Sequence, residues 1–527
     1  MEDSQVLSEA GDSACSKETD ESTPLTGELK SQPPGGITTW LFLTTLITIF
    51  GSSFQFGYNV AVVNTPEKEI RHYFKSHNVA ISDIIWSTAV SITSFGGLIG
   101  AIIGPIAADM LGRKATLLWD NAVIIVGCVL VFSSRFALST ILLIFGRFII
   151  GVSNGIVTVV VPMYLSEISP TNLRGAVGTL NQFGIVFGML IANILGLHQI
   201  LGTSKSWHYL LSFSIVPALI QIIVLPFCPL SPRYLLITLN KESLARTEVI
   251  KLQGSYNVET IISEMRHEKE TILQQGKLSI LQLLQTKSLR RPLLLGVLLQ
   301  LSQQFSGINA LMFYSTSTFT KAGMSNPDVA TCGVGTVSVV MVAVSVFLMD
   351  RVGRRSLMLI GLAGMFVFYG IITISYALQD KYENFKYLAV ACTFITMAFF
   401  QIGPGKLMLF NSLRAISSST IYYLCFIPGS IPWFMVAEFF SQGPRPAATS
   451  ISGSVNWLSG FIVAITFPSI QDVLFPYVFI VFMVFILVLW TLIFIYVPET
   501  KGKTFEEISR ELLINSYEVN NDTNHSD

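Results

Sequence analysis

Charge is scarce in this sequence of 527 residues. Only 13% of the residues are charged, where a soluble domain carries about 25%. Basic and acidic residues balance at 33 each, so no net field draws the chain toward nucleic acid. The six cysteines (Cys15, Cys128, Cys228, Cys332, Cys392, Cys425) are scattered, without Cys-x-x-Cys spacing. They read as small apolar or loop residues, neither a disulfide framework nor a metal site. No nucleophile–base pair, metal-ligand set or phosphate loop stands out, so an enzyme reading has no support and no cofactor is expected. No cleavable leader is visible either.

What replaces charge is apolar length. Hydrophobic residues make up 51% of the chain, and its mean hydropathy is +0.59. Crossing about 30 Å of hydrocarbon takes about 20 apolar residues. Six such runs are centred near residues 50, 95, 125, 150, 187 and 217, and six more near 305, 338, 367, 395, 457 and 485. The expected fold is an all-α membrane protein of twelve transmembrane helices in two six-helix bundles, residues 38–228 and 292–497. Residues 1–37 are polar and acidic and read as a disordered cytosolic tail, and residues 498–527 as a second cytosolic tail. Residues 229–291 carry ten Lys/Arg and form a linker with the pattern of short amphipathic surface helices. By the positive-inside rule the linker, and with it both termini, is expected on the cytoplasmic side.

The two halves carry matching marks. Asp109-Met110-Leu111-Gly112-Arg113-Lys114 lies between two apolar runs, and Asp350-Arg351-Val352-Gly353-Arg354-Arg355 between two others. Glu167 precedes Arg174 by seven residues, as Glu438 precedes Arg445. Such duplication is how many secondary transporters are built.

Several spans carry amides: Gln55 and Asn59 near residue 50, Asn181, Gln182 and Asn193 near 187, and Gln300, Gln303, Gln304 and Asn309 near 305. Polar side chains are expensive in lipid, so these faces turn to a protein interior or a watery path. Amides donate and accept without charge, which suits a neutral polyhydroxylated ligand better than an ion. Aromatic residues such as Phe313, Tyr314, Phe400, Trp433 and Trp457 could cover the apolar faces of a sugar ring.

These residues fall in motifs: Gln55-Phe56-Gly57-Tyr58-Asn59, Gly112-Arg113-Lys114, Pro162-Met163-Tyr164, Gln300-Leu301-Ser302-Gln303-Gln304, Gly307-Ile308-Asn309, Gly353-Arg354-Arg355, Gly443-Pro444-Arg445-Pro446 and Pro498-Glu499-Thr500-Lys501-Gly502. In them the chain resembles the facilitative hexose transporters of the sugar porter family, in the major facilitator superfamily, from about residue 38 to 510. The resemblance implies a hexose site between the bundles, near the bilayer midplane. Its contacts would be Gln182, Gln303, Gln304, Asn309, Trp433 and Asn456, with Phe400, Gln401 and Trp457 along the cavity. It also implies a gating charge network of Arg113, Lys114, Glu167, Arg174, Arg351, Arg354, Arg355, Glu438 and Arg445. Related proton-coupled symporters commonly hold an acid where this chain has Asn59, and an amide cannot carry a proton. Uniport follows. Gln300-Leu301-Ser302 resembles members that prefer glucose over fructose. The implied partners are glucose and the lipid bilayer, and the implied location is the plasma membrane.

Four positions depart from the family pattern. Gln401 stands for a Glu, Ser338 and Gly460 for Asn, and Leu230 for the Glu of a Pro-Glu-Ser-Pro-Arg stretch. The outer loop after the first span, with Asn64-Thr65-Pro66 and Asn78-Val79-Ala80, lacks the usual glycosylation sequon. The larger departure is residues 406–429, which separate Gly403-Pro404-Gly405 from Ile431-Pro432-Trp433. Asp350 and Glu438 are 88 residues apart, against 58 between Asp109 and Glu167. The stretch is either a genuine insertion that remodels a substrate-side helix or translated non-coding sequence. A structure is expected to show it displaced from the tenth span, with Trp433 facing the cavity. The rival functions are a transporter-like sugar sensor and an isoform disabled by the insert.

Overall fold

A computed structural model describes residues 38–79, 81–170, 173–254, 258–275, 280–379, 381–403, 432, 435–436, 439–440, 444–500 and 507. The expectations for residues 1–37 and 406–429, and for Trp433 and Glu438, lie outside the described residues, as does the side chain of Arg351.

The described residues form helices and no strand. In the first half these are α1 (Thr39–Ala61), α2 (Glu67–Ser76), α3 (Asp83–Leu111), α4 (Arg113–Phe136), α5 (Thr140–Ile168), α6 (Arg174–Leu195) and α7 (Trp207–Phe227). The linker gives α8 (Glu242–Gln253), α9 (Val258–Gln275) and α10 (Ile280–Gln285). The second half holds α11 (Lys287–Phe305), α12 (Ile308–Lys321), α13 (Pro327–Val352), α14 (Arg354–Leu378), α15 (Phe385–Ile402), α16 (Arg445–Leu474) and α17 (Val478–Tyr496). Side-chain caps start three of the long helices: Thr38, Ser82 and Ser139 accept the N–H of Leu41, Ile85 and Leu142, each satisfying a donor the helix leaves open.

Among the described residues, eleven helices are long and apolar enough to cross a membrane. The segment centred near residue 305 differs from a continuous span. It breaks at Ser306-Gly307, where Gly307 takes φ +81°. A side chain there would be strained, and the Phe482 ring lies 2.5 Å from where a Cβ would sit. The break ends α11 just after Gln303 and Gln304 and starts α12 just before Asn309, so three amides meet at one corner.

Helices within the first half touch backbone to backbone. A Cβ on Gly100 of α3 would lie 2.0 Å from the Val152 carbonyl of α5, and one on Gly155 of α5 would lie 2.2 Å from the Gly97 carbonyl of α3. Small residues permit such contact in membranes, where the hydrophobic effect does not drive helices together. Across the halves, α3 packs along α16 and α6 along α13. The repeated loop signature has a repeated backbone: Gly112 and Gly353 take φ +89° and +100°, each just before a new helix.

The linker forms its own small core from Leu235, Leu236, Ala245, Val249, Ile262 and Met265. Glu242 clamps it from outside, accepting from Arg266 Nη2 at 2.6 Å and Arg246 Nη2 at 2.9 Å. Thr38 Oγ1 donates to the Leu252 carbonyl, so α1 begins at the linker end of the molecule and Asn64, beyond its last turn, lies at the far end.

Candidate functional site

Asn456 of α16 is the hub of an amide cluster. Its Nδ2 donates to Gln300 Oε1 and Gln303 Oε1, both at 2.7 Å, and its Oδ1 accepts from Gln304 Nε2 at 2.8 Å. Asn309 Nδ2 donates to Gln304 Oε1. Four of the expected sugar contacts therefore share one network. Gln300 completes it, although it was not among the expected contacts; positions 300, 303 and 304 share a helical face, and that spacing was the available signal. Bonds between membrane helices contribute about 0.6 kcal/mol each, whereas a buried donor left unpaired costs about 1–3 kcal/mol. The region holds two such donors, Gln300 Nε2 and Trp457 Nε1. A hydroxyl group placed there would pair with either of them.

Gly460 lies one turn beyond Asn456. A Cβ there would sit 3.3 Å from both Asn309 Nδ2 and Gln304 Oε1, so its missing side chain leaves room against the cluster. Ser338 donates to the Val334 carbonyl of its own helix and takes no part.

Trp457 joins the halves. Its ring packs 5.9 Å from that of Phe56 and covers Gly97, whose Cβ would fall 2.4 Å from it. Gln182 on α6 is half-buried and makes no hydrogen bond among the described residues, while Asn181 beside it accepts from Ser53 Oγ at 2.5 Å. Ser53 ends a π-helical turn, Ile49–Ser53, within α1; such turns often mark functional sites. Phe400 and Gln401 are buried on α15. None of Gln182, Phe400 and Gln401 bonds to the Asn456 network.

Asn59 keeps its place without an acid. Arg147, fully buried, donates to its backbone carbonyl at 3.0 Å, and Ser214 Oγ donates to its Oδ1. Arg147 Nε and Nη2 and Asn59 Nδ2 are buried without partners. Arg147 also lines a cavity of about 10 Å³, about the room one water needs.

At the far end the halves are tied together. Asn64 Nδ2 donates to the Met312 carbonyl at 2.9 Å and to Ser315 Oγ at 2.6 Å, and its Oδ1 accepts the Thr316 N–H at 3.1 Å. Asn193 Nδ2 donates to the Thr331 carbonyl at 3.4 Å. Nothing in the sequence marks Asn64 for this role, since it is an amide in a loop-like stretch.

At the linker end, Arg113 Nη2 meets Glu167 Oε1 at 2.8 Å, and Ser231 Oγ donates to Glu167 Oε2. Arg113 stacks 5.1 Å from the Tyr234 ring centre. Lys114 Nζ donates to the carbonyls of Pro226 and Cys228, and Arg174 Nε to that of Ser166. In the second half the Glu499 carboxylate accepts the N–H groups of Arg354 at 2.9 Å and Arg355 at 3.1 Å, capping the positive end of α14. Arg355 Nη2 donates to the Phe494 carbonyl, and Arg445 to that of Phe440. Glu499 belongs to a quoted motif, but its role depends on a contact with residues far away in sequence. Leu230 is exposed, and its N–H donates to Glu248.

A family model described as "Sugar (and other) transporter" matches residues 44–419 and 411–512, two segments that meet within residues 406–429. The facilitated glucose transporter member 3 of solute carrier family 2 from Canis lupus familiaris is 43% identical over 479 residues, covering 89% of this chain and 92% of that one. Member 4 from Homo sapiens is 40% identical over 496 residues, covering 92% and 93%. Among solved structures, the inward open conformation of the xylose transporter XylE from E. coli matches with a TM-score of 0.71 at 22% identity, covering 89% of this chain and 99% of that one. That likeness carries the fold, two bundles of membrane helices of the major facilitator type. The family match spans most of the length, and the chain belongs to the sugar transporter family.

Proposed function

We propose that this protein is a facilitative hexose carrier of the plasma membrane, with D-glucose as its preferred substrate, the linker and both termini in the cytoplasm, and no covalent chemistry. The observation that carries this reading is the Asn456 amide network, beside which Gln300 Nε2 and Trp457 Nε1, the latter on the ring that packs against Phe56 of the first half, are buried and unpaired. Sugar hydroxyls both donate and accept, so they match amides that do the same.

Transport is alternating access. The halves rock about the central site, closing one end while the other opens. The Asn64 and Asn193 bonds hold the far end shut. The charges at the linker end act as a latch: Arg113, Glu167, Arg174, Arg354, Arg355 and Arg445, with Lys114, Arg351 and Glu438, re-pair between halves when that end closes. Uniport follows from Asn59, which offers no titratable group beside Arg147. Gln182, Phe400, Gln401 and Trp433 complete the sugar path.

Initial rates of uptake into proteoliposomes, measured with labelled D-glucose and L-glucose, test the reading. Saturable uptake of the D form with little of the L form is expected. Equal slow entry of both enantiomers would count against a sugar site.

A further inference from the structure

A cavity of about 250 Å³ lies at the far end, beside the Asn64 closure. One wall belongs to the first half and carries Glu67, Arg71 and Asp83. The other belongs to the second half and carries Lys321 and Asp472. Charges cancel within each wall: Arg71 meets Glu67 at 3.0 Å and Asp83 at 2.6 Å, with Lys68 beside them, and Lys321 pairs with Asp472. A cavity of balanced charge attracts no particular ion. It offers carboxylate acceptors and cationic donors together, and hydroxyl groups that both donate and accept can bridge them. Its volume is below the roughly 300–1,000 Å³ of drug-sized pockets, which fits one sugar ring and not a chain of them.

We propose that this cavity is a second sugar site, an antechamber that holds one neutral monosaccharide at the outer face while the far end is closed. The proposal rests on the hexose-carrier reading and its orientation. Because the walls come from opposite halves, the complete cavity exists only when they are together. An occupant favours the state in which its site is formed. External sugar at high concentration therefore delays outward reopening, and uptake declines after its maximum.

Ser317 lines the cavity and is half-buried, so Ser317→Cys supplies a small reporter. The rate of its modification by a membrane-impermeant maleimide is measured in proteoliposomes, with the parent protein subtracted, while external D-glucose is raised. At about four times the dissociation constant, mass action leaves the cavity empty about one-fifth of the time, so labelling slows about fivefold. The same slowing, at the same sugar concentrations, is expected when Asn456→Ala, or Gln182→Leu in a separate protein, weakens the central site. Labelling indifferent to sugar overturns the proposal. So does protection that shifts to higher sugar along with the weakened central site, because it would come from movement of the halves. Uptake by the Ser317→Cys protein reports on the carrier reading separately, since either can fail while the other stands.

Discussion

Asn456 holds three glutamines in place with two donors and one acceptor. Replacing it with alanine leaves those amides without their common partner and removes a sugar contact. Asn456→Ala is expected to raise KM for D-glucose by about tenfold, equivalent to about 1.4 kcal/mol, with the protein still folded by thermal unfolding in detergent. An unchanged KM would remove the cluster from the sugar path. Asn59→Asp makes the opposite kind of change, bringing a carboxyl group near Arg147 and its unpartnered Nε and Nη2. Uptake by that variant is expected to gain a pH dependence that the parent lacks, read from initial rates between about pH 5 and 8; superimposable profiles would refute it. The sequence showed the amides at helical spacing, so Gln303, Gln304 and Asn309 were legible as a group. It could not show Asn456 as their hub, because that depends on α16 packing beside α11. Gln182, Phe400 and Gln401, expected around the same sugar, make no bond to this network.

At the level of elements, close contact and capping decide which helices can move. Gly100→Val would press a side chain onto the Val152 carbonyl and is expected to destabilise the first half by more than the roughly 1–3 kcal/mol of ordinary overpacking, seen as loss of folded protein on size exclusion. A normal elution profile would show that α3 and α5 can part. Glu499→Gln weakens the charged cap of α14 but keeps its shape. Maximal zero-trans rates of uptake and efflux are expected to change in different proportions, because the linker end opens more easily. The two Vmax/KM values change together, as passive transport requires; equal changes in the maximal rates would assign Glu499 to folding alone. In the linker, hydrogen bonds from Arg266 and then Arg246 hold the Glu242 carboxyl below its ordinary value. A depressed pKa contributes stability above the unfolded value and loses it as pH falls through the folded one. Amide exchange in α8 is therefore expected to be flat near neutral pH and to rise only in acid, once the intrinsic rate is removed. Helix positions were readable from apolar length. The break at Gly307 was not, because only the Phe482 ring from another helix shows why no side chain fits there.

For the molecule as a whole, duplication and composition were enough to indicate two bundles of membrane helices. The paired signatures at Gly112 and Gly353 have the same positive-φ geometry, as expected if one half was copied from the other. The chemistry that covers them has diverged. Tyr234 lies against Gly112, whereas the Glu499 carboxylate lies against Gly353, and no repeat in the sequence signals that difference. The far-end closure was also hidden, because Asn64 gains meaning only beside Ser315 and Thr316. Within residues 406–429 the family match, which runs through both halves, divides into two overlapping segments. The backbone groups of those residues and Lys406 and Arg414 would be costly against lipid. The most direct test of the carrier account is zero-trans uptake of labelled D-glucose in proteoliposomes by the full chain and by a form lacking residues 406–429. The account predicts saturable, stereospecific uptake by at least the shortened form; absence of uptake by both folded proteins would contradict it.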